Sequence, residues 1–78
     1  MNAEPFVKAA EEYEELAVQL ERAAQHARTA AAHMAQREVP RACAHALAAF
    51  GHLSSARATL EELAINHAAR ATPVLPVD

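Results

Sequence analysis

Apolar residues recur every seven positions through the first half of the chain. Phe6, Tyr13, Leu20, Ala27 and Met34 form one series, and Ala9, Leu16, Ala23 and Ala30 interleave with it. This is the spacing of the a and d positions of a heptad, and it predicts a helix over 3–36 with one apolar stripe. A second pair of series follows, with Val39, Ala46, Leu53, Leu60 and His67 at a and Ala42, Ala49, Ala56 and Leu63 at d. It predicts a second helix over 40–70. Between the two, Pro40 suits a first helical turn and biases Val39 away from the α region, which places a reversal at 37–39. Asn2 offers an N-cap, with Glu4 and Pro5 in the first turn. Pro73 and Pro76 end the second helix, leaving 72–78 as an extended tail whose Val74 and Leu75 suit docking on a groove or sheet edge.

Two heptad series that run apart from a short turn pair across it. Tyr13 falls opposite Leu63, Leu16 opposite Leu60, Leu20 opposite Ala56, Ala27 opposite Ala49, and Met34 opposite Ala42. Residues 1–71 therefore read as one all-α unit, an antiparallel hairpin of two long helices. Composition agrees: alanine, the strongest helix former, dominates, while the β-branched and aromatic residues that strands favour are scarce. Alanine layers near the turn let the helices approach at the short end of the usual interaxial range.

A two-helix hairpin buries little, and the flanking positions show where further burial lies. The e positions carry Ala10, Ala17, Ala24 and Ala31 on the first helix and Cys43, Phe50, Arg57 and Ala64 on the second, with Leu47 beside them. This edge is expected to associate, most simply as a two-fold homodimer forming a four-helix bundle, or to dock on another protein.

The opposite edge is polar and carries four of the five histidines. His26 and His33 occupy g positions on the first helix, and His45 and His52 occupy g positions on the second. Histidines seven apart on one helix stand about 10.5 Å apart, too far to share an ion. Across the hairpin, His26 pairs with His52 and His33 with His45. Each pair offers two ligands to Zn, Ni or Cu, or a surface that titrates near neutral pH. The plainer expectation is a solvated polar border to the seam. His67 falls at an a position facing Ala9, as a packed residue near the open end.

The remaining chemistry is sparse. There is no HExxH, no ExxH pair and no Cys/His knuckle, and Ser54 and Ser55 have no acid partner at a useful spacing. A single cysteine, Cys43, permits no intramolecular disulfide. A net charge of −3 lacks the basic surplus that phosphate contacts require, so nucleic acid is not an expected partner. No apolar run approaches the ~20 residues of a membrane span, and no secretory signal opens the chain, so the expected location is cytoplasmic. The expected function is a non-enzymatic protein–protein interaction module or accessory subunit, with no cofactor. The alternative is a small metal- or cofactor-binding bundle using the cross-helix histidine pairs.

Overall fold

Both heptad runs are helical. In the computed structural model, which describes residues 3–73, α1 spans Glu4–Ala35 and α2 spans Val39–Arg70, joined by a turn at 36–38. The two helices lie antiparallel as a hairpin. At 1.5 Å per residue each helix is about 48 Å long, and two helices side by side are about 20 Å across and a single helix diameter thick. The radius of gyration is 18.5 Å, against about 11.5 Å for a compact domain of this length. The molecule is a flat plate with two broad sides.

At the start of α1 the backbone, not a side chain, closes the first turn. Ala3 is the N-cap, without a side-chain cap, and the N–H groups of Phe6 and Val7 both reach its carbonyl at 3.1 Å. The expected cap, Asn2, lies outside the described residues, as do residues 74–78 of the expected tail.

The reversal is a Schellman closure. Glu38 N–H donates to the His33 carbonyl at 2.9 Å and Arg37 N–H to the Met34 carbonyl at 2.9 Å. This places Arg37 in the left-handed region, φ 61°, where glycine is usual because a Cβ crowds the following carbonyl. The apolar contact that often accompanies this closure is replaced by a polar one: the Glu38 carboxylate accepts from His33 Nδ1 at 3.2 Å. Arg37→Gly should stabilise the fold by about 1 kcal/mol through relief of that crowding. The melting temperature should rise by roughly 4–8 °C in a thermal scan. An unchanged or lower midpoint would show that the left-handed turn carries no strain.

The seam between the helices is rotated from the expected one. The buried side chains are Ala23, Ala42, Ala49 and Ala56, all at d positions. The partly buried ones are mostly the other d residues and the g residues, including Gln19, His26, His33, His45, His52 and Thr59. Every a position is exposed, Ala27 and Ala46 among them. The layers of a against d are therefore corrected to a seam of d and g. The physical reason is size. Helices that close on alanine at d approach too nearly for Tyr13, Leu20, Leu53 or Leu60 to lie between them, and those side chains are displaced to one flank. His67 is likewise exposed rather than packed. It lines an open cleft of about 470 Å³ between the helix ends, with Ala9, Tyr13 and Leu63.

With 100° between successive residues, a d/g seam puts the a and e positions of both helices on one broad side of the plate. The c positions fall on the other, where Lys8, Glu15, Arg22, Thr29, Arg41, Ser55 and Glu62 stand. The a/e side is mainly apolar, with Arg57 and His67 its polar members, and the c side is mainly polar, interrupted by Ala48 and Ala69. Gly51 points away from the seam, and a Cβ built there would meet nothing within 4 Å.

Candidate functional site

The g positions of antiparallel helices interleave, and this brings all four seam histidines into one file. The order along the hairpin is His33, His45, His26, His52, alternating between helices. Adjacent rings are stacked, with centroids 5.3, 5.2 and 5.4 Å apart and planes within 30°. The expected pairs, His33 with His45 and His26 with His52, are both present. His26 sits midway between His45 and His52, however, so two separate pairs become a continuous ladder. The extra contact also brings two ring nitrogens within hydrogen-bond distance: His26 Nδ1 lies 3.0 Å from His45 Nδ1.

Both ends of the ladder are closed by hydrogen bonds. At the turn, His33 Nδ1 donates to Glu38, which also accepts from Arg41 at 3.0 Å. Toward the open end, His52 Nδ1 lies 2.8 Å from Gln19 Oε1. The orientation of that amide is settled by Glu15, whose carboxylate accepts from Gln19 Nε2 at 2.8 Å. The Gln19 oxygen must therefore face His52, and His52 must carry its proton on Nδ1. Among the described residues no buried side-chain nitrogen or oxygen lacks a partner.

Glu38, Gln19 and Glu15 were not among the expected site residues. Gln19 had a signal, since it shares the g series one heptad before His26. Glu38 had none, because its reach to His33 depends on the Schellman closure.

As a metal centre the ladder offers only pairs of nitrogens. Among the described residues, no three His, Cys, Asp or Glu side chains are grouped so as to hold an ion. Any Zn, Ni or Cu on His26, His52, His33 or His45 would need water or another chain for the rest of its shell.

The second candidate is the apolar side of the plate. Phe50 is 67 % exposed and Leu47 73 %. Beside them Phe6, Tyr13, Leu20, Met34, Val39, Leu53 and Leu60 all lie open, each about half exposed or more. Of the expected interface residues, Ala10, Ala24, Ala31, Cys43 and Ala64 are also exposed, and Ala17 is partly covered. Cys43 is a free thiol. Near the turn, Cys43 lines a shallow apolar groove with Ala30, Ala31, Met34, Ala42 and Ala46.

Among the described residues no helix is long and apolar enough to cross a membrane. Comparison of the chain with protein-family models, with curated proteins and with solved structures gave no match, so its reading rests on these two surfaces.

Proposed function

We propose that this chain is a non-enzymatic, cytoplasmic protein–protein interaction module that acts as a dimer, two plates closing face to face into a four-helix bundle. The observation that carries the reading is the one-sided exposure of Phe50, Leu53, Leu60, Leu20 and Tyr13. A contiguous apolar face of this length, set against a polar reverse side, is the mark of an interface.

The amount of open surface is of the right size. The chain exposes 6454 Å², where a folded monomer of this mass is expected to expose about 4,600 Å². The surplus, about 1,800 Å², comes from the elongated shape of the chain as well as from its open apolar side, and it is of the order that one subunit of an obligate homodimer buries.

The uneven charge along the hairpin favours a second copy, inverted end for end, as the occupant. In the half of the hairpin nearer the turn, Arg22, Arg28, Arg37 and Arg41 stand against Glu21 and Glu38. In the open half, Glu4, Glu11, Glu12, Glu14, Glu15, Glu61 and Glu62 stand against Lys8, Arg57 and Arg70. These charges stand on the edges and the reverse side rather than in the apolar face, so they act through the long-range field: a two-fold axis lying in the interface, across the helices, sets each acidic half opposite the partner's basic half. The outer faces of the bundle, and residues 72–78, remain for another protein.

Sedimentation equilibrium on the full chain tests the reading. The expected result is a helical species of twice 8.4 kDa at micromolar concentration, dissociating with loss of helix on dilution. A folded monomer at that concentration would overturn it.

A further inference from the structure

The histidine ladder has a proton inventory that its hydrogen bonds determine. His33 donates from Nδ1 to Glu38 and His52 donates from Nδ1 to Gln19, so either ring gains a proton at Nε2 with its bond intact. The central pair differs. A 3.0 Å contact between two Nδ1 atoms requires one ring to donate and the other to accept. The donor ring also protonates at Nε2, which strengthens its bond. The acceptor ring has its lone pair on Nδ1, inside the bond. Its protonation sets N–H against N–H.

We propose that His26 and His45 form a proton-operated clasp: the pair holds the helices together with up to one added proton, and a second opens the seam. The groups facing the clasp reinforce this limit. His33 stacks on the far side of His45 and His52 on the far side of His26, so protonating the file places like charges side by side. Among the described residues, Glu38 is the carboxylate bonded to the ladder; it compensates His33 at the end of the file and is itself shared with Arg41. At the other end, Glu15 is linked to His52 only through the neutral Gln19 amide.

The seam gives the clasp leverage. Its buried side chains are alanines, which add little apolar attraction to resist separation. The open hairpin can protonate both central rings and the closed one cannot, so stability rises with pH across the imidazole range and falls as acid is added. The His33–Glu38 pair gains from protonation and works the other way, which limits the effect to the central pair. The clasp itself does not require a second copy. Because the apolar side spans both helices, opening the seam also splits that face, so on the dimer reading above, acid dissociates the assembly.

Two measurements on the full chain at one fixed concentration test the clasp. Nitrogen-15 spectra of histidine side chains, at about pH 7.5, should show Nδ1–H at His33 and His52 and a single Nδ1 proton divided between His26 and His45. Between about pH 7.5 and 5 the wild-type melting temperature should fall by roughly 5–10 °C. His45→Gln, which keeps a hydrogen-bonding side chain but does not titrate, should lose most of that fall. His67→Gln, off the ladder, should keep it. Nε2–H tautomers at both His26 and His45, a flat wild-type profile, or His45→Gln falling as steeply as wild type would each overturn the proposal. A monomer with the expected tautomers and pH profile upholds the clasp and removes the dimer. A dimer whose melting ignores pH does the reverse.

Discussion

Phe50→Asp is expected to abolish self-association and, with it, most of the helix. In an isolated hairpin this side chain is 67 % exposed, so its replacement there removes little packing. Between two copies the same position is desolvated, and the substitution acts twice per dimer. Each copy loses an aromatic worth about 1.5–3 kcal/mol when buried and gains an unpaired carboxylate at an apolar interface, a further penalty of several kcal/mol. The total rivals the whole stability of a small protein, about 5–15 kcal/mol. Association should weaken at least ~1,000-fold, a loss of ~4 kcal/mol or more. Sedimentation together with far-ultraviolet circular dichroism reads both consequences. Ser55→Asp, on the polar side, should leave mass and helicity unchanged. A Phe50→Asp chain with wild-type mass and melting would show that the apolar side is not the interface.

Enlarging the seam should be nearly as damaging by a different route. Ala56 is 2 % exposed and Ala42 3 %. Ala56→Leu adds three carbons at the most buried position of the seam, and overpacking of this kind costs about 1–3 kcal/mol even where neighbours can shift. Here the relief available is separation of the helices, which also pulls His52 away from Gln19 and His26. The melting temperature should fall by roughly 5–20 °C, and the His52 Nδ1–H signal should lose its hydrogen-bonded shift. Ala58→Leu, two residues away and exposed, should be close to neutral. If Ala56→Leu proved as harmless as Ala58→Leu, the close alanine contact would not be what sets the spacing of the helices.

The rotation of the seam explains why these two positions differ. Heptad spacing reports which residues of a helix are apolar, and both the a and d series qualify. It does not report which pair of stripes meets. In this chain alanine occupies a, d and e alike, so periodicity leaves several rotations open. The structure takes the one in which small d residues meet and large a residues spread over one side. In that geometry Ala56 is sealed, while Ala27, equally apolar and equally periodic, is open.

The histidines show the same division. Their g positions, and the facing of His26 with His52 and His33 with His45, follow from two heptads and a short turn. Their union into one ladder does not, because it depends on axial stagger. A shift of half a heptad turns two opposed pairs into an alternating file and creates the His26–His45 contact. The end partners depend on still finer detail: Glu38 reaches His33 only because Arg37 adopts a left-handed turn.

By itself the sequence determined two helices, their antiparallel order and the place of reversal, because local propensity, a proline and a seven-residue period are properties of neighbours along the chain. The rotation of each helix about its axis, and hence which side is apolar and which imidazoles share a proton, was decided only by the tertiary structure. Those features depend on how closely two surfaces approach, and that distance is set by the volumes of side chains from both helices acting together.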